Sequence, residues 1–540
     1  MSLPLTIEHL LWRMEHVHHS SEVVAVTPDG TGRLSFPETA ARARALAAGL
    51  RAGHRVEAGS VVAVLAFNTR LHLELMLGVP SLGAVLECVN IRTSTEVILD
   101  QLADSRPQVV VIETEALEHP TVGGVVRDVR DACRALGREV LLLDGRTGDG
   151  LEQLLAPVPP AARTPLAEEE TAYLFHTSGT TGRPKTYRVT HRDVVLHALS
   201  QATTVAADLR PEDRVLPLAP FFHVNGWGLP FTCAVTGSDL VLTGSDATAD
   251  TVVDVLLEER VTVAAAVPTV WYDVCEAVRR RFGARQSDAP SPVPALREVL
   301  TGGSAVPASV AEAIREQLDA RVVAAWGMTE TMACSTYERD QPSSAAGLPV
   351  PLVETRVVDP LGVEVPEGRG RLEVRGAFVV GARGDSVAGA GWMDTGDIAS
   401  IDEEGRLRLH DRQKDLIKSG GEWIASAELE QGLCSHPAVS TAAVVARPDP
   451  RWMERPVAYV VLRSAGTATA EELLDHLAAE FPKWWLPDQI TITDDLPRTA
   501  VGKIDKVSLR RAQGSPAADP VSGSRRSRPS INAHRSEVVA

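Results

Sequence analysis

Thr177-Ser178-Gly179-Thr180-Thr181-Gly182-Arg183-Pro184-Lys185 lies between an apolar run at 172–175 and a helical pattern opening near His191. Its hydroxyls are short donors. Gly179 and Gly182 tolerate positive φ, so successive backbone N–H groups can turn inward around an anion. Lys185 adds a point charge suited to a phosphate oxygen. A Walker loop needs its lysine directly after the second glycine and before Ser or Thr, whereas here Pro184 intervenes. The stretch is a phosphate loop of another kind.

Working outward, the flanks alternate between strand and helix. Apolar strand-like runs fall at 61–67, 109–112, 140–143, 216–218, 240–242, 261–267, 298–300 and 321–325, with helical patterns at 250–259, 269–282 and 307–319. Uniformly apolar strands separated by helices predict largely parallel sheets covered on both faces. Near the start, 8–20 reads as a short helix with His16, His18 and His19. A hairpin turns at Asp29-Gly30, and Ser35 with Glu38 forms a capping box. The segment 71–86 reads as a helix that Pro80 must bend or break. The Pro/Ala-rich stretch 156–165 reads as a surface linker. From about 355, short strands with Asp/Gly turns predict a small, partly antiparallel β region. After Arg412 an α+β pattern follows, with strands at 438–446, 457–463 and 488–492 and a helix at 470–481.

The fold expected is α/β: a large N-terminal domain of largely parallel sheets flanked by helices plus a small β region, and a small mobile α+β C-terminal domain. The boundaries read as 1–411, 412–512 and a disordered tail at 513–540, rich in Ser, Pro, Arg and Ala. Among 540 residues, 44% are hydrophobic and 23% charged, ordinary for a globular protein. The formal net charge of −17 disfavours nucleic acid as a partner. The six cysteines are scattered without a CxxC pair, which fits free thiols in a reducing compartment. Neither a signal peptide nor an apolar run of about 20 residues is present, so a cytoplasmic location without a membrane span is expected.

Further constellations follow in order. They are Pro220-Phe221-Phe222-His223-Val224-Asn225-Gly226-Trp227, Thr301-Gly302-Gly303-Ser304-Ala305, Ala325-Trp326-Gly327-Met328-Thr329-Glu330-Thr331 and Trp392-Met393-Asp394-Thr395-Gly396-Asp397. Beyond them come Asp411-Arg412-Gln413-Lys414-Asp415-Leu416-Ile417-Lys418-Ser419-Gly420-Gly421-Glu422-Trp423 and Leu496-Pro497-Arg498-Thr499-Ala500-Val501-Gly502-Lys503. The Gly-rich turn at 301–305, between a strand and a helix, lets backbone amides approach a flat ligand. A lone histidine, tryptophan or acidic turn has an ordinary structural explanation; this order across most of the chain does not. With the phosphate loop, the set resembles the adenylate-forming superfamily of acyl-CoA synthetases, adenylation domains and luciferases, and among them fatty acyl-CoA synthetases most.

The resemblance implies that Thr177, Ser178, Gly179, Thr180, Thr181, Gly182 and Lys185 bind ATP phosphates. It further implies that Gly302, Gly303, Ser304, Trp326 and Gly327 bind the adenine side, that Asp397, taken over Asp394, binds the ribose, and that Arg412 contacts ribose or phosphate. His223, Val224, Asn225, Trp227, Thr301 and Met328 would line the acyl pocket, His223 and Thr329 also serving catalysis. Glu330 would hold Mg2+, Lys503 would be the catalytic lysine and Lys414 the hinge. Ser419, Gly420, Gly421 and Trp423 would face pantetheine. The implied partners are ATP, Mg2+, CoA and a carboxylic acid, fatty or otherwise hydrophobic. Phe221-Phe222-His223-Val224-Asn225 lacks the aspartate that would pair with an amino-acid substrate. An acyl carrier protein or an unusual nucleophile in place of CoA, a homodimer, and a noncatalytic nucleotide-binding scaffold stay open.

The match departs at three places. Thr186-Tyr187 replaces Gly-Val after the loop, Leu352 stands where glycine is common, and Arg371 replaces a frequent Glu. None of these is expected to touch a residue assigned to chemistry.

Overall fold

The computed structural model describes residues 3–144, 154–155, 165–177, 185–286, 289–343, 345–380, 391–463, 466–498 and 504–512. The expected linker at 156–165, save Pro165, and the tail at 513–540 lie outside them.

Two large sheets carry the N-terminal part. The first has six strands in the order Glu139–Leu143, Val109–Glu113, Val61–Leu65, Val85–Cys88, Thr171–Thr177 and Lys185–Thr190. All its neighbours are parallel except the last pair, Thr171–Thr177 with Lys185–Thr190. The second has nine strands, of which Arg321–Trp326, Glu298–Gly302, Val263–Ala266, Arg214–Pro217, Asp239–Leu242 and Glu22–Thr27 run parallel in that order. Antiparallel strands close both of its edges: Gly30–Ser35 at one, Thr336–Glu338 and Leu348–Pro349 at the other. The strand Val109–Glu113 is buried at every position, as a parallel strand covered on both faces must be.

Local chemistry sets the helices. Ser35 and Glu38 cap Phe36–His54 reciprocally, the reading made from sequence. The helix expected over 71–86 instead spans Arg70–Ser81, and Val85–Cys88 is a strand. Pro80 is the reason: without an N–H it cannot donate to the Met76 carbonyl. The buried Tyr173 phenol donates to that oxygen instead, at 2.5 Å. The chain then leaves the helix.

The small β region is a wholly antiparallel sheet of Val353–Val358, Gly370–Gly376, Met393–Ile401 and Leu407–Arg412. The C-terminal part is a five-stranded sheet. Val439–Asp449 and Met453–Leu462 form its long hairpin, Gln489–Ile492 joins parallel, and Ile417–Ser419 with Glu422–Ile424 flanks it. Helices Ser426–Cys434 and Ala470–Ala478 close its own apolar core around Leu429, Val444 and Leu473.

Candidate active site

The neighbouring parallel strands Glu298–Gly302 and Arg321–Trp326 set Gly302 opposite Ala325. The turns that follow them therefore emerge side by side at the C-terminal edge of the sheet, where open α/β sheets bind ligands. Gly303 and Ser304 lie exposed on the first turn. On the second, a Cβ at Gly327 would lie 1.4 Å from the Ala333 carbonyl oxygen, so only glycine lets the chain double back there. Thr329–Thr331 is a 3-10 turn in which Met328 O accepts from Thr331 N–H and Ala333 N–H, at 3.0 and 2.9 Å. The Glu330 carbonyl accepts from Val380 N–H at 2.7 Å. The backbone of Glu330 is thereby fixed while the residue stays partly exposed.

Asp397 and Arg412 face each other across an antiparallel pair. The Asp397 side chain is buried. Its Oδ2 accepts the Trp326 indole N–H at 3.1 Å, and its Oδ1 pairs with Arg412 Nε at 3.0 Å. Asp394 is exposed and paired instead with Arg371. Trp326, Asp397 and Arg412 thus form one linked set, and Asp394 is outside it.

Thr177 and Lys185 are cross-strand partners at the root of a hairpin. Ser178, Gly179, Thr180, Thr181 and Gly182 lie outside the described residues. The loop was expected to run on to a helix near His191, but the strand Lys185–Thr190 intervenes and the helix His191–Gln201 follows it. The expectation that Thr186-Tyr187 touches no assigned residue is also overturned. Tyr187 points inward, is buried, and donates its phenol to Glu330 Oε1. Thr186 Oγ1 lies 3.2 Å from His176 Nδ1, and His176 Nε2 pairs with the buried Glu87 at 2.7 Å. Ser105 donates to the other Glu87 oxygen at 2.6 Å.

The stretch expected to line the acyl pocket has an unusual backbone. Val224, Asn225, Gly226, Trp227 and Gly228 all have positive φ, from 34° to 75°. A left-handed turn of L-residues costs roughly 1–2 kcal/mol per residue, so its surroundings must impose it. Gln201 Nε2 donates to the Trp227 carbonyl at 3.0 Å, and Asn225 Nδ2 lies 3.8 Å from Cys88 Sγ. Upstream, Asn68 ties the two sheets together. Its Nδ2 donates to the carbonyls of Pro217 and Ala219, and its Oδ1 accepts from Phe221 N–H. His223 is half-buried, with its ring edge-on to Phe222 at 5.0 Å. Among the described residues, Asn225 Oδ1 and Thr301 Oγ1 are buried without a hydrogen-bond partner.

The expected pantetheine residues sit on the hairpin of Ile417–Ser419 and Glu422–Ile424. Gly420 has φ +63°, and a Cβ on it would meet the Trp452 ring at 2.8 Å, so this close approach also requires glycine. Trp423 is exposed, with Lys418 Nζ 5.4 Å from its ring centre. Ser419 is buried and accepts from Arg455 at 3.1 Å. Lys414 is exposed between Arg412 and this hairpin. Lys503 lies outside the described residues, but its flanks are fixed. Arg498 bridges to Ile504, and Asp505 N–H donates to Pro497 O at 2.7 Å. Buried Lys506 pairs with Glu430 at 2.7 Å; burial pushes its pKa down, but Glu430 and Asp411 outweigh that and hold it above the usual lysine value.

A family model described as AMP-binding enzyme matches residues 14–382, and the AMP-binding enzyme C-terminal domain matches 428–503. The chain belongs to the AMP-binding enzyme family. It is 36% identical to a long-chain-fatty-acid–CoA ligase of Thermus thermophilus, covering 94% of this chain and 96% of that one. It is 32% identical to a 3-methylmercaptopropionyl-CoA ligase of Ruegeria lacuscaerulensis, covering 94% and 97%. An anthranilate CoA ligase in complex with anthranoyl-AMP shares the fold, with a TM-score of 0.82 at 24% identity over 95% of this chain and 98% of that one.

As an AMP-binding enzyme the chain is an acid–thiol ligase, and the family uses ATP, Mg2+ and CoA. The residues present fit a magnesium ion: Glu330 offers a hard oxygen donor on a fixed backbone. Among the described residues no cationic side chain is paired with it. All six cysteines are free, and among the described residues no helix is long and apolar enough to cross a membrane. Tyr187, Asn68 and the His176–Glu87 pair are the site elements sequence reasoning missed. The departure at 186–187 was the one available signal for the first.

Proposed function

We propose that this AMP-binding enzyme activates a fatty or other hydrophobic carboxylic acid with ATP, forming acyl-AMP and pyrophosphate, and then transfers the acyl group to the thiol of CoA. The observation that carries this reading is the linked set Trp326, Asp397 and Arg412 beside Glu330, at the C-terminal ends of adjacent parallel strands. Asp397 accepts the ribose hydroxyls while Trp326 and Arg412 hold it in place. Glu330 would hold magnesium, which when bound neutralises phosphate charge. The hydroxyls and amides of 177–182 with Lys185 cradle the β and γ phosphates.

The carboxylate attacks the α-phosphate in line, so catalysis is mostly positioning and charge stabilisation. Lys503 bridges the carboxylate and the α-phosphate, with Thr329 beside the phosphate. Rotation of 412–512 about Lys414 then withdraws Lys503 and brings Ser419, Gly420, Gly421 and Trp423 to the acyl-AMP for thiol attack. Support for a hydrophobic acid comes from the apolar surroundings of His223, where Phe221, Phe222 and Val224 are buried. The relatives named for long- and medium-chain fatty acids point the same way. Free, mostly buried thiols fit a reducing cytoplasm.

The test is pyrophosphate release over a panel of fatty, aryl and short acids, with CoA then added. Release with hydrophobic acids and CoA-dependent thioester formation are expected. Silence with every acid contradicts the reading and leaves a nucleotide-binding scaffold. Release that yields thioester only with a carrier protein would move the acceptor from CoA to that protein.

A further inference from the structure

We propose that Tyr187 is a positioning residue for the metal carboxylate, aligning Glu330 for the magnesium ion of MgATP. The inference rests on the reading of Glu330 as that carboxylate. Three observations carry it.

The first is the contact itself. Tyr187, on a strand of the six-stranded sheet, and Glu330, in the 3-10 turn that follows a strand of the nine-stranded sheet, lie 143 positions apart, and the Tyr187 phenol donates to Glu330 Oε1. That contact engages one carboxylate oxygen and does not use Oε2. The second is rigidity at both ends. Tyr187 is 2% exposed, on a strand whose residues Lys185 to Val189 pair one to one with Thr177 to Tyr173. Its neighbour Thr186 is tied to the buried His176–Glu87 pair. At the other end the backbone of Glu330 is closed by the Met328 turn and by Val380 N–H. What remains loose in such a carboxylate is its side-chain torsions, and the phenol removes that freedom before metal arrives.

The third is placement. Thr177 and Lys185 root the phosphate hairpin, and Tyr187 is two residues beyond Lys185 on the same strand. One side chain therefore couples the hairpin that cradles phosphate to the turn that holds the cation. A valine, which can only pack, has no such reach.

The test is Mn2+ binding to the full chain, read by electron paramagnetic resonance with α,β-methylene ATP present, and AMP affinity measured in parallel without metal. Tyr187→Phe keeps the ring and removes only the hydroxyl. Loss of such a partner typically costs about 10- to 100-fold in metal affinity. The expected result is a loss in that range for Mn2+ with AMP affinity unchanged, and no further loss when Tyr187→Phe is added to Glu330→Gln. Unchanged Mn2+ affinity in Tyr187→Phe, with a loss in Glu330→Gln, overturns the positioning role alone. An equal loss for AMP and Mn2+ overturns it in favour of a packing role. Unchanged Mn2+ affinity in Glu330→Gln removes the metal assignment, and the proposal falls with it.

Discussion

At Asp397 one buried carboxylate serves two donors at once, the Trp326 indole on one oxygen and the Arg412 guanidinium on the other. A hydrogen bond to a charged group is worth about 1.5–3 kcal/mol, and part of that is felt by whatever the carboxylate binds. Trp326→Phe keeps an aromatic face for adenine but frees Asp397 to turn. It should weaken ATP-analogue binding by roughly 10-fold, read by titration calorimetry, with little change in melting temperature. Unchanged affinity would mean that Arg412 alone suffices to fix the carboxylate. The choice of Asp397 over Asp394 could be made from the residue string. The indole donor could not, because Trp326 and Asp397 are 71 positions apart. The same applies to Tyr187: the sequence marked Thr186-Tyr187 as unusual, yet only the packing of two sheets shows what the phenol reaches.

At the scale of elements, the parallel strands were legible because covering both faces demands unbroken apolar runs, as in Val109–Glu113. Lys185–Thr190 was not, because only Tyr187 and Val189 of its six residues are buried and the rest read as a polar loop. The left-handed turn from Val224 to Gly228 was hidden for another reason. Val and Trp have no local preference for that region, so tertiary packing imposes it. Leu352, with φ +72°, occupies such a conformation, so this position is a point of backbone strain.

The end of Val109–Glu113 carries a further consequence. Burial, reinforced by the Glu115 charge, pushes the Glu113 carboxyl up from 4.5 to about 8. Between those values the folded chain holds a proton that the unfolded chain releases, so stability falls as pH rises through that window. The slope is about 1.4 kcal/mol per pH unit at its steepest. Glu113→Gln removes the ionisation while keeping the shape. The variant should melt above the wild type near pH 8 and close to it near pH 4.5, in thermal melts across that range. A gap independent of pH would show that Glu113 does not titrate in the fold.

Across the whole molecule, the account describes two bodies with different duties. The parallel sheets present nucleotide and acyl residues at their C-terminal edges, and Asn68 binds the edges together. The C-terminal sheet carries the Gly420-Gly421 hairpin and, through the Arg498–Ile504 bridge and the Lys506–Glu430 pair, the anchored flanks of Lys503. The order of motifs is the ground on which the sequence suggests a boundary near Arg412. The central claim is that acid activation and thiol transfer are separate steps and that Lys503 serves only the first.

The most direct test is a rapid-quench single turnover with α-labelled ATP and a fatty acid, first without CoA, on wild type and Lys503→Ala. Wild type should give about one equivalent of acyl-AMP with pyrophosphate. The variant should form it slower by about 10²–10³, yet convert supplied acyl-AMP and CoA to thioester at close to the wild-type rate. ADP in place of AMP, or equal loss of both half-reactions in Lys503→Ala, would contradict the account.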